Sequence, residues 1–136
     1  MSVLIWSLLP LVTLTGVGTQ YTPDEHAGNP LYCDRDGTLI YDEDTAPWVA
    51  MPKWTFDRGI VQCGDWVTVY PDGWPQFSAR AWDAGLLSSR IFRDGQPIVV
   101  DAPPWVATWK SPVPYVRVVN WSALARECIE KGWCDE

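Results

Sequence analysis

The stretch from residue 66 to residue 82 constrains the fold most. Residues 66–70 alternate Val67 and Val69 against Thr68, the period-two signature of a half-buried strand. Pro71-Asp72-Gly73 follows, a strong turn signal. Residues 77–82 then set Phe77, Ala79 and Ala81 against Ser78, Arg80 and Trp82. Two alternating runs joined by such a turn predict a β-hairpin. The rest of the chain reads in the same idiom. A Gly- and Thr-rich strand is expected over 16–21, a short one over 38–41, a buried one over 98–100 and an alternating one over 115–119, with a brief apolar run from Trp48 ended by Pro52. Only residues 122–131 have helical character, and Gly132 stands where a helix C-terminal glycine belongs. Short strands between regular turns predict a small, closed or nearly closed β-barrel.

A chain of 136 residues supports one domain with a substantial core. At 47% hydrophobic and 20% charged it has a globular composition. Its net charge of −7 argues against nucleic-acid binding, which needs clustered Lys and Arg. The single histidine, His26, leaves little for His-rich metal chemistry, and no cofactor or metal is expected. The ten tryptophans are the compositional anomaly.

Residues 3–17 are almost wholly apolar and interrupted by Pro10. That is short of the about 20 residues a spanning helix needs, so no stable membrane span is expected. Length and position suit a secretory h-region, which makes residues 1–18 an export segment, residues 19–119 the barrel and residues 120–136 a helix with its tail. The competing reading is a first strand and its lead-in. Four cysteines, Cys33, Cys63, Cys128 and Cys134, agree with an oxidising, extracytoplasmic location, and no C-x-x-C occurs among them. Of the three possible pairings, Cys33–Cys63 and Cys128–Cys134 are favoured; the second would staple the tail of the last helix.

Four segments in order carry a resemblance: Gly16-Val17-Gly18-Thr19-Gln20-Tyr21, Gln62-Cys63-Gly64-Asp65-Trp66-Val67-Thr68-Val69, Ala81-Trp82-Asp83-Ala84-Gly85 and Ile98-Val99-Val100-Asp101-Ala102-Pro103. Together they resemble the double-psi β-barrel of RlpA-like proteins and the N-terminal domain of expansins. The resemblance covers residues 16–119 and implies an all-β, six-stranded double-psi barrel, here with a short C-terminal helix. It implies a cell-wall glycan as partner, a groove lined by Thr19, Tyr21, Asp83 and Asp101, and Asp101 as the catalytic acid and base with Asp83, Thr19 and Tyr21 assisting. The chain departs from the family after Asp83, where Arg and Pro are replaced by Ala-Gly-Leu, and after Asp101, where Ala stands for the common Leu-Ser.

The chemistry can be argued from the residues as well. A lytic transglycosylase cleaves a glycosidic bond without water, so one carboxyl in a drier setting suffices as acid and then base. Asp101 follows Ile98-Val99-Val100 and precedes Ala102-Pro103-Pro104-Trp105, the most apolar surroundings of any acid here. A hydrolase would need two carboxylates, and Asp83 with Asp101 is the plausible pair. The bland alternative makes both aspartates strand-end turn formers. Tryptophans can stack on the C–H faces of sugars, and Trp48, Trp54, Trp74, Trp82 and Trp105 are the candidates by position; Trp66 and Trp109 are expected to pack in the core. The acidic residues from Asp34 to Asp44 have the wrong glycine register for a calcium loop. Asn120-Trp121-Ser122 has the form of a glycosylation sequon. The expectation is therefore a secreted, monomeric wall-acting protein with lytic-transglycosylase-like activity. Its rivals are a non-catalytic expansin-like glycan-binding module and a secreted protein-interaction domain.

Overall fold

The computed structural model describes residues 6–20, 31–34, 47–85, 98–110 and 112–134. Six strands, β1 (Thr13–Gln20), β2 (Trp48–Pro52), β3 (Trp66–Pro71), β4 (Phe77–Gly85), β5 (Ile98–Ala102) and β6 (Val113–Asn120), close a barrel in the order β1-β5-β2-β4-β3-β6. The hairpin is β3 and β4, registered Trp66 to Arg80 and Val69 to Phe77. Two pairs are parallel, β1 with β5 and β2 with β4, and the others antiparallel. Exchanging β1, β2 and β3 with β4, β5 and β6 maps this ladder onto itself. The barrel is thus two topologically equivalent three-strand halves, although the sequence carries no visible repeat.

Alternation sends Val49, Met51, Val67, Val69, Ala79, Ala81, Val100, Ala102, Val116 and Val118 into one core cluster with the buried Trp109. Each fully buried Val or Met side chain contributes about 1.5–3 kcal/mol. After Phe77 the interior residues of β4 are the small Ala79 and Ala81, which share the core with the bulky Phe77 and Trp109, ring centroids 5.3 Å apart. Glycines let β1 pack closely. A Cβ on Gly16 would run into the Ile98 carbonyl across the parallel pair, and one on Gly18 would stand 3.1 Å from the Trp109 ring.

The expected helix is α2 (Trp121–Glu130), following α1 (Lys53–Asp57), a short helix the sequence pattern does not announce. Asn120 caps α2 by accepting the Ala123 N–H. At the other end Gly132, with φ +74°, donates to Ile129 and Trp133 donates to Cys128, the paired bonds of a Schellman stop. Ala123, Leu124 and Cys128 on α2 pack with Leu8 and Val12, residues flanking and closing a 3-10 turn at Leu9–Val12. The barrel therefore begins at Thr13, and the boundary expected after residue 18 falls inside β1. A cut there would remove most of that strand. Both favoured disulfides are present, with Cα–Cα separations of 5.6 Å for Cys33–Cys63 and 5.3 Å for Cys128–Cys134. Among the described residues no helix is long and apolar enough to cross a membrane. The strand expected over 38–41 lies outside the described residues.

Candidate functional site

The register of four neighbouring strands brings the two aspartates into one row. Ala50 on β2 aligns with Asp83 on β4 and, on its other side, with Asp101 on β5. Asp101 in turn aligns with Thr19 on β1. Val100 and Ala102 point into the barrel, so Asp101 between them points outward. Thr19 shares that face, since its hydroxyl donates to Asp101 Oδ1 at 3.0 Å. On β4 a register shift opposite Val49 and Ala50 skips Trp82 and turns Asp83 to the outer face. The row Thr19, Asp101, Ala50, Asp83 thus crosses the outside of the barrel where its two halves meet.

Asp83 and Asp101 flank Ala50 from strands two spacings apart, about 10 Å between backbones. Thr19 holds the Asp101 carboxylate from the β1 side, opposite Ala50. A double-displacement pair needs carboxyls about 5 Å apart, closer than these two backbones. The acids also differ in exposure. Asp101 is half-buried. Asp83 is only 8% exposed, and its Oδ1 accepts the backbone N–H of Tyr32 at 2.8 Å. Residues 31–34 lie as a strap over this end of the row. Leu31 and Cys33 pack with Trp48, Ala50 and Trp82, Asp34 N–H closes the turn on the Leu31 carbonyl, and Cys33 is tied to Cys63. The family groove predicts none of this cover; its signal in the sequence is Cys33 alone.

The five candidate tryptophans divide. Trp48 and Trp82 are 1% and 3% exposed beneath the strap and cannot stack on a sugar; their apolar bulk fills the space outside β2 and β4. Trp54 is partly buried against the barrel core. Trp105 and Trp74 are exposed, at 46% and 36%. Trp105 meets the buried Trp48 edge-on, with ring centroids 6.4 Å apart. Trp48 lies two residues from Ala50 on the same face of β2, so Trp105 packs against the neighbour of the row on that strand. Of the two expected core residues, Trp109 is buried, whereas Trp66 is half-buried on the outer face under the Arg80 guanidinium. Tyr21 lies outside the described residues, as do His26 and most of the acidic stretch from Asp34 to Asp44.

A second acid cluster escapes sequence reading. Asp65, 4% exposed, accepts from Arg126 Nη1 and Nη2 at 2.7 and 2.8 Å, from Asn120 Nδ2 at 2.9 Å and from the Gln62 N–H at 2.9 Å. Burial pushes its carboxyl pKa up, but the bonds from Arg126, Asn120 and Gln62 outweigh burial and hold it below the usual value. Asn120 is itself buried as the α2 cap, Trp121 Nε1 donates to Thr68, and Ser122 Oγ accepts the Trp66 N–H. The sequon is therefore a clamp between α2 and β3, closed to a glycosylating enzyme. Among the described residues no three His, Cys, Asp or Glu side chains gather as a metal site. No protein-family model matches the chain, and no curated protein matches it in sequence.

Proposed function

We propose that this is an exported double-psi β-barrel protein, similar to the RlpA-like proteins, that acts on cell-wall polysaccharide as a peptidoglycan lytic transglycosylase. Support for the double-psi assignment comes from the two parallel pairs and the twofold ladder. Support for export comes from the two disulfides. The observation that carries the reaction is the setting of Asp101. It is a half-buried carboxyl on a closed barrel, flanked in sequence by buried Val100 and Ala102, held by the Thr19 hydroxyl, on the face where Trp105 is exposed.

The steps follow from one carboxyl. Protonated Asp101 gives its proton to the glycosidic oxygen as the bond to the anomeric carbon breaks. The resulting carboxylate takes the proton from a hydroxyl of the same sugar while that oxygen closes on the anomeric carbon. The products are a shortened chain and an anhydro sugar, no water is consumed, and Asp101 ends protonated. Thr19 orients the carboxyl, and the Trp105 ring offers an apolar face to the sugar's C–H groups.

Digestion of peptidoglycan followed by mass analysis for anhydro-sugar ends tests this. Asp101→Asn should lower product formation by about a hundredfold or more; products that persist at the wild-type rate sink the assignment. The burial of Asp83 favours a second reading, a non-catalytic expansin-like binding module in which Trp105 and Trp74 hold the glycan. Retention on insoluble glycan without any products would select it, and absence of both would select a protein-interaction domain.

A further inference from the structure

Asp83 has a role that neither the resemblance nor the proposed reaction assigns. The strap of residues 31–34 is held to the outside of β2 and β4 by ties at two adjacent residues. One is covalent, Cys33–Cys63. The other is the 2.8 Å bond from the Tyr32 N–H to Asp83 Oδ1. Leu31 and Cys33 pack on Ala50, Trp48 and Trp82, and the Tyr32 ring leans on Phe56 of α1, centroid to centroid 5.2 Å. Ala50, at the centre of the row, is thereby sealed, whereas Asp101 beside it is half-buried. The strap therefore covers the Asp83 end of the row.

We propose that Asp83 is a positioning residue, whose carboxylate pins the Leu31-Tyr32-Cys33-Asp34 strap as one wall of the Asp101 site and does not act on the glycan itself. The proposal rests on the glycan reading for what the wall is for, but not for the wall's existence. It turns on a simple chemical distinction. The bond needs an oxygen acceptor at Oδ1 and no ionisable proton. An asparagine keeps that acceptor, whereas an alanine does not. An acid or base in the reaction would fail equally with either.

The test compares Asp83→Asn and Asp83→Ala with the wild type by amide hydrogen exchange at Tyr32 and by peptidoglycan turnover or retention. Asn should keep Tyr32 protection and the glycan response within about threefold of wild type, while Ala should speed Tyr32 exchange by about tenfold or more and weaken the glycan response. Thermal unfolding checks that both variants fold. If Ala does not, Asn alone decides, because loss of Tyr32 protection in Asn overturns the pinning role. An Asn variant with full Tyr32 protection but no glycan response also overturns the proposal, since Asp83 would then act on the ligand. Unchanged Tyr32 exchange in a folded Ala variant overturns it too. If the wild type has no glycan response but Ala alone frees Tyr32, the pinning stands and the glycan reading fails.

Discussion

Asp65 and Asp101 are both aspartates at strand borders of one barrel, and each accepts a hydrogen bond from a distant part of the chain. Their surroundings differ in kind. Asp65 is sealed from solvent and surrounded by a bidentate guanidinium, a side-chain amide and a backbone N–H. Asp101 is half-buried and held by the Thr19 hydroxyl. The first arrangement stabilises the ionised form and joins three segments: the loop before β3, the end of β6 and α2. The second keeps a carboxyl oriented while leaving it within reach of solvent. Asp83 lies between them, buried like Asp65 but bonded to a strap that borders the row. Acid residues in this barrel are thus distinguished by what donates to them, which a sequence does not display.

The sharpest break in the comparison is removal of Arg126. Arg126→Leu leaves the Asp65 carboxylate buried with only neutral donors, a change that costs about 3–5 kcal/mol for fully buried pairs. Arg126 retains 38% side-chain exposure, so about 2–3 kcal/mol is expected here, read as a lower urea midpoint at unchanged slope. Glycan response per folded molecule should not move. A loss of response without a loss of stability would place the Asp65 cluster in the site.

The same cluster should contribute to the pH dependence of stability. Asp65 has a folded pKa lowered below its unfolded value. Its contribution to stability is therefore fully present above the unfolded value, near pH 4, and is lost as pH falls through the lower folded value. Unfolding free energy measured from pH 6 down to pH 2 should decline below about pH 4, and less steeply in Asp65→Asn. An identical decline in both proteins would show that other carboxyls control acid unfolding.

Asn120→Ala should cost about 2 kcal/mol, combining a lost helix cap of about 1 with a lost bond to Asp65 of similar size. Protein made in a eukaryotic secretory host should show no glycan on Asn120 by intact mass. Occupancy of that site would mean that modification precedes closure of the clamp.

What the sequence reveals and conceals follows the range of the interactions. The β3–β4 hairpin is legible because Val67, Val69, Ala79 and Ala81 alternate on either side of a local turn. The end of α2 is legible because Gly132 satisfies a local backbone requirement. Strand β2 is not, because all its residues, Trp48–Pro52, are buried; the strap covers its outer face and erases the alternation. The parallel pairs β1–β5 and β2–β4 join segments far apart in sequence, which no local pattern encodes. Thr19, Asp83 and Asp101 are legible as a set through motif order, whereas the partner of Asp83 is a backbone N–H and leaves no side-chain signature. Asn120 carries two patterns at once, a sequon and a helix cap; packing against Asp65 decides for the cap.

The smallest expected change in stability lies on the row side, at Trp105. Its ring is nearly half exposed and meets Trp48 in an edge-to-face approach, an arrangement that contributes about 0.5–1.5 kcal/mol. Trp105→Ala should therefore lower stability by no more than about 1 kcal/mol, because Trp48 stays covered by Leu31, Cys33 and Trp82. If the ring is a sugar platform, the same change should weaken retention on peptidoglycan by about tenfold, equivalent to about 1.4 kcal/mol, and Trp105→Phe should recover part of it by restoring a flat apolar face. Stability and binding would then separate in the sense opposite to Arg126→Leu, where stability falls and binding holds. A Trp105→Ala variant that loses well over 1.5 kcal/mol of stability with binding intact would erase the distinction, making Trp105 part of the packing around Trp48 and leaving Asp101 without an aromatic neighbour for a ligand.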